Sequence, residues 1–125
     1  MVEQNVRTII TEVLGLDEAT EIELQDDLVN DLGAESIDFI EICFRVEQVF
    51  KLAKVNPGDI FPTFLQAEEY LDPQGNVKES VRQKLAQEFP HVRGQLLDAF
   101  VDTRNRRKFV TVQNLVSFVE HRIAS

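Results

Sequence analysis

The sequence predicts an all-α protein: a four-helix bundle with extra short helices inserted between its second and last main helices. Three observations carry that expectation. Apolar residues recur at helical spacing in the first, second and last segments of the chain. Residues that start or stop helices bracket those segments. A chain of 125 residues that is 43% hydrophobic is also long enough for one core without staples.

The first helix is read as Val2 to Leu14. Val2, Val6, Ile9 and Val13 share a face, with Ile10 and Leu14 beside it. Gly15 is placed to end the helix in the left-handed conformation. Leu16 to Glu35 reads as a long acidic loop, unusual in length for a compact domain. Ile22, Leu24, Leu28 and Leu32 are its expected anchors, with a short helical turn around Asp26–Val29. The second helix is read from Ile37 to about Phe50, with Gly33 bending the chain before it and Ser36 in the N-cap position. Its apolar residues cover more than one face, so it is either deeply buried or shows apolar surface to a partner. Cys43 falls among them as a small core residue.

Residues 57–108, within a single domain spanning 1–125, form the insert. Asn56-Pro57-Gly58-Asp59 is a turn signal, and Thr63 is placed to cap a short helix containing Phe64, Ala67 and Leu71. Asp72-Pro73-Gln74-Gly75 is a second turn. Asn76 with Glu79 three residues on looks like a capping box, and Val77, Val81, Leu85 and Phe89 make one stripe ended by Pro90. Leu96, Leu97, Phe100 and Val101 give another helical segment. Arg104, Arg106, Arg107 and Lys108 follow as a solvated basic loop suited to pairing with the acidic half. A phosphate or anionic-headgroup contact is the secondary reading of that loop. The last helix starts after Thr111 as N-cap, with Val110 and Leu115 spaced for a hydrophobic staple and Leu115, Phe118, Val119 and Ile123 as its buried stripe.

Charge is unevenly placed. Residues 1–50 hold 13 acidic and 2 basic side chains, whereas residues 51–125 hold 9 and 11. Between Arg7 and Arg45 there is no basic residue. Such a face either aids solubility or docks basic partners, and it argues against nucleic acid as a partner. One cysteine excludes an intrachain disulfide, and with no secretory signal the expectation is a cytoplasmic monomer. No apolar run reaches the ~18 residues of a membrane span. Enzyme chemistry finds little to work with. His91 and His121 have no partners at metal-ligand spacing, so no metal is expected. Ser36 lacks a hydrolase elbow, and a calcium loop around Gly33 would place Leu28 and Phe39 at its liganding ends.

Asp31-Leu32-Gly33-Ala34-Glu35-Ser36-Ile37-Asp38 is the stretch that carries a sharper reading. A serine here is most simply a helix cap, yet a helix N-terminus also suits an attached phosphate. The stretch resembles the attachment motif of acyl carrier proteins, usually D-x-G-x-D-S-[LI]-D. The resemblance implies that Ser36 receives a 4′-phosphopantetheine arm from coenzyme A and carries acyl groups as thioesters, with no catalytic residues of its own. Glu35 departs from the usual aspartate, keeping the charge on a longer side chain. The resemblance covers residues 1–56 and 109–125. It implies a phosphopantetheinyl transferase and acyl-loading and acyl-transfer enzymes as partners, meeting acids such as Glu35, Asp38, Glu41 and Glu47. Arg45 and Gln48 interrupt that acidic pattern. The enlarged region resembles that of specialised acyl carrier proteins, which implies a carrier for unusual or long acyl chains, with Phe61, Phe64, Leu71, Val81, Leu85, Phe89, Leu96 and Phe100 lining or covering a larger cavity; the other reading is that the insert packs a small core of its own and serves as a partner surface. The alternatives are a peptidyl carrier domain and a non-modified acidic interaction module.

Overall fold

The computed structural model describes residues 1–67 and 69–124. The fold is all-α. Helix α1 (Val2–Leu14) and helix α2 (Ser36–Phe50) pack together, and the C-terminal helix α7 (Val112–Ala124) lies against both. The four-residue helix α3 (Pro57–Ile60) completes the bundle against α2 and α7. Val6, Ile10, Leu28, Ile42, Val46, Ile60, Leu115 and Val119 are buried in its core. Gly15 ends α1 at φ 64, as a left-handed C′ glycine does.

The Leu16–Glu35 connection is held down by its apolar residues. Ile22 and Leu28 are buried, while Leu24 and Leu32 pack partly buried against the same core. Hydrogen bonds add to this anchorage: Leu28 N–H donates to the Val110 carbonyl at 2.9 Å, and Gln113 N–H to the Leu24 carbonyl at 2.8 Å. Residues 26–29 form turns and one isolated bridge, Asp27 with Thr111, rather than a helical turn. The Asp26 carbonyl and the Leu28 N–H bond to the segment ahead of α7, while the Asp31 and Gly33 N–H groups close single turns onto the Asp27 and Val29 carbonyls at 2.9 and 3.0 Å, so the turns run on toward Gly33 without becoming a helix.

The insert builds a second apolar cluster. Helix α4 (Phe64–Ala67), helix α5 (Glu79–Glu88), helix α6 (Gln95–Thr103) and a 3₁₀ turn over Arg106–Phe109 surround Leu65, Val81, Leu85, Phe89, Leu96, Phe100 and Phe109. Burying that many side chains at ~1.5–3 kcal/mol each is what lets short helices hold their place.

Several local expectations change. The Asn56–Asp59 turn is the start of α3: the Asp59 carboxylate accepts the Asn56 N–H at 2.9 Å, and Pro57 occupies the first turn, where its missing N–H costs nothing. Helix α4 ends at Ala67, ahead of Leu71, which instead bridges Val77. That bridge and the Arg104 guanidinium bonded to the Asn76 amide oxygen occupy Asn76, so α5 starts two residues later with Lys78 as N-cap. Thr111 does cap α7, its hydroxyl accepting the Asn114 N–H at 3.3 Å. Ile123 is half exposed and lies outside the buried stripe.

The two clusters meet at one polar seam. The Ile60 carbonyl accepts from the Asn114 side-chain amide at 3.0 Å and lies 2.8 Å from His91 Nε2. Asn114, wholly buried, also donates to the Phe109 carbonyl at 2.8 Å. His91 stacks edge-on against Phe118 at 5.1 Å. Burial lowers its pKa, with His121 and Arg122 nearby adding to that, and the bond to the Ile60 carbonyl opposes it in part. A neutral ring that donates through Nε2 fits this seam.

Candidate functional site

The Asp31–Asp38 stretch is a tight turn feeding a helix. The Asp31 carboxylate accepts the Asp27 N–H at 2.7 Å, and the Ala34 N–H returns to the Leu28 carbonyl at 2.8 Å. Gly33 takes φ 78, a conformation that a side chain at this position would strain. Ala34 points into the core, which sets the direction in which Glu35 and Ser36 face outward.

Ser36 is not the N-cap. Glu35 holds that place in an extended conformation, and the Asp38 carboxylate accepts the Glu35 N–H at 2.8 Å in capping-box fashion. This cap belongs to two acids, so the Ser36 hydroxyl, at the first helical residue and exposed, has no partner among the described residues. It is available for chemistry, beside free N–H groups at a helix start.

An open groove of about 390 Å³ runs beside it. Val29, Phe39, Ile40, Pro57, Phe61 and Val110 supply apolar walls, with Phe39 and Phe61 in edge contact at 5.3 Å. Thr63, Gln66 and Arg107, all from the insert, supply polar ones.

Residues 4–71, more than half of the chain, match the family model described as a phosphopantetheine attachment site. The chain belongs to that family. Its cofactor is phosphopantetheine, held covalently through a serine. An acyl carrier protein of Clostridium acetobutylicum is 40% identical over 52 residues, which is 42% of this chain. The match spans 66% of that relative's length, just short of two thirds. No solved structure matches.

The acids of α2 play unequal parts. Glu35 and Asp38 cap the helix. Glu41 is exposed and pairs with Arg45 at 3.2 Å, and Arg45 also reaches Glu12 at 3.1 Å. Glu47 accepts the Val55 N–H at 2.7 Å, an internal role that pins the chain leaving α2. The apolar surplus of α2 resolves into two faces. Ile42, Cys43 and Val46 are buried, whereas Ile37, Ile40 and Phe44 are 70%, 63% and 51% exposed. Burial, with the nearby Asp59 and Glu47 charges, pushes the Cys43 thiol up to about 12, so it stays protonated and inert.

Arg107 pairs with the acidic half, its Nε and Nη2 donating to both oxygens of Asp27 at 3.0 and 2.7 Å. Burial raises the Asp27 pKa, but the bonds from Arg107, Asn30 and Val29 outweigh that and hold it below its ordinary value. The sequence does not show that this pairing holds Arg107 at the wall of the Ser36 groove, which Thr63 and Gln66 also line. Residues 71 positions apart share no local pattern that would show it.

Proposed function

We propose that this chain is an acyl carrier protein and that Ser36 is its attachment residue. The observation that carries the reading is the exposed, unpartnered Ser36 hydroxyl, at the start of α2 and opening onto an apolar groove. The residues present fit the cofactor: the serine is reachable by a transferase, the helix start favours a phosphodiester, and a cation lines the same groove. When bound, phosphopantetheine supplies a terminal thiol that holds acyl groups as thioesters.

The chain's own contribution is presentation. Gly33 and the Glu35–Asp38 cap fix where Ser36 stands. The walls formed by Val29, Phe39, Ile40 and Phe61 shield apolar cargo from water, gaining ~0.8 kcal/mol per buried CH₂. Ile37, Ile40 and Phe44, flanked by Glu41, offer partner enzymes an apolar patch with an acidic rim, the usual anatomy of a docking surface. No described helix is long and apolar enough to cross a membrane.

A specialised cargo is part of the proposal. Its support is the groove where the bundle meets the insert. Of the eight insert residues expected to line a cavity, Phe61 lines this groove, while Val81, Leu85, Phe89, Leu96 and Phe100 close on one another in the second cluster. Room for a long chain therefore lies beside the second cluster and not inside it. The experiment is intact mass after incubation with coenzyme A and a broad-specificity phosphopantetheinyl transferase. It is followed by loading acyl groups of increasing length. One phosphopantetheine added to the wild type and none to Ser36→Ala is expected, with amide shifts at Phe39, Phe61 and Val110 growing with chain length. An unmodified wild type would leave an interaction module, and loading by aminoacyl groups alone would leave a peptidyl carrier.

A further inference from the structure

A phosphodiester on Ser36 would stand in unfavourable surroundings as far as the neighbouring sequence goes. No basic residue lies between Arg7 and Arg45, and Glu35 flanks the serine directly. The groove beside Ser36 nonetheless contains one charged side chain among the residues that line it, and that is Arg107. It comes from the part of the insert beyond residue 71, where the family match ends.

Arg107 is also held in place. Nε and Nη2 are fixed side-on by Asp27 at 3.0 and 2.7 Å, and Asp27 Oδ1 is fixed in turn by the N–H groups of Val29 and Asn30 at 2.8 and 2.9 Å. This uses one edge of the guanidinium and leaves Nη1 outside the pair. Asp27 is the more deeply buried member, its side chain 13% exposed against 36% for Arg107. A planar fork with fixed orientation loses little freedom on binding and matches phosphate oxygens well. A purely alkyl ligand would gain nothing from a cation in its wall.

Resting on the reading of Ser36 as the attachment residue, we propose that Arg107 is a phosphate-binding residue: it donates from its unpaired edge to the phosphodiester of the group carried on Ser36. The insert thus adds a clamp that draws the base of the arm toward the groove. Thr63 and Gln66, on the same wall, offer a hydroxyl and an amide to the polar part of the arm beyond the phosphate.

The test uses the phosphopantetheinylated full chain, with modification of Ser36 verified by peptide mass, and reads the phosphorus-31 resonance. In the wild type the resonance is expected to be broader than, and shifted from, that of the same phosphodiester in a proteolytic fragment. Arg107→Gln should move it to the fragment's position and sharpen it. Arg106→Gln, on the same basic turn but with its guanidinium toward the Leu65 carbonyl, should leave it unchanged. Arg107→Lys keeps the charge without the fork and should give a smaller displacement in the same direction, which serves if the Gln variant folds poorly. Asp27→Asn lowers stability by losing the same ion pair but leaves Arg107 present, so its phosphorus signal should stay displaced from the fragment's. A wild-type signal equal to the fragment's overturns the clamp while leaving attachment at Ser36 intact, as does an Arg107→Gln or Arg107→Lys signal equal to the wild type's. A wild type that takes up no phosphopantetheine on Ser36 overturns the attachment reading and the clamp with it.

Discussion

Replacing Asn114 by Asp tests how the insert is fastened to the bundle. The two side chains have the same shape, so no cavity is made, and what changes is donors. In the native seam the amide donates to the Ile60 and Phe109 carbonyls at 3.0 and 2.8 Å, in a position with no solvent exposure. A protonated aspartic acid can donate one of those bonds, so the acid form loses one buried donor, about 1–3 kcal/mol. An ionised carboxylate can donate neither and would face two carbonyl oxygens without water. The group should therefore stay protonated in the folded state, with a pKa raised above the unfolded value of about 3.9. The sign then follows: the unfolded state releases the proton and the folded state does not, so stability falls as pH rises above about 4, at up to ~1.4 kcal/mol per unit. By pH 7 this adds up to ~4 kcal/mol to the loss, against a total stability of about 5–15 kcal/mol for a domain. Urea unfolding of wild type and variant at pH 4.5 and pH 7 measures it. The difference between them should be several kcal/mol larger at pH 7. An equal difference at both pH values would refute the reasoning, because it would mean that the site takes up water or opens to solvent.

Ser36→Ala should change stability by less than ~0.5 kcal/mol, since the helix cap belongs to Glu35 and Asp38, whereas Asp38→Ala should cost about 1 kcal/mol; thermal unfolding of both distinguishes the assignments. Glu41→Lys should slow modification by a phosphopantetheinyl transferase at low salt and much less at high salt, since an exposed charge is screened beyond ~10 Å at 0.1 M; equal rates at low salt would remove Glu41 from recognition. Native stability should fall on acidification in two stages. Below pH 6.5 the unfolded state protonates His91 while the folded state resists, and below pH 3.8 Asp27 repeats the pattern, because both folded pKa values lie below the unfolded ones. His91→Gln should flatten the first stage and Asp27→Asn the second in a pH series of urea midpoints.

The bundle was legible because its signals are local. The stripe of α1, Gly15, the anchors Ile22 and Leu28, and the Thr111 cap all stand within a few residues of the structure they form. The family was legible for the same reason, because the resemblance rests on one continuous stretch. What the sequence hid depends partly on a choice between neighbouring caps and partly on residues far apart. Glu35 displaced Ser36 as cap because Asp38 was free to close the box. Asn76 lost its helix because Leu71 and Arg104 took its backbone neighbour and its side chain. The exposed face of α2 could not be told from a buried one by periodicity alone, since both need apolar residues. The Ser36 groove needed the Asp27–Arg107 pair, a contact across 80 positions that fixes where the basic turn lies.

The most direct measurement is the intact mass of the wild type and of Ser36→Ala after exposure to coenzyme A and a broad-specificity phosphopantetheinyl transferase, with peptide mapping of the modified residue. The expected result is one phosphopantetheine on the wild type, mapped to Ser36, and none on the variant. A wild-type mass that does not change, or a variant that is modified as readily as the wild type, would contradict the assignment of Ser36 as the residue that carries the arm.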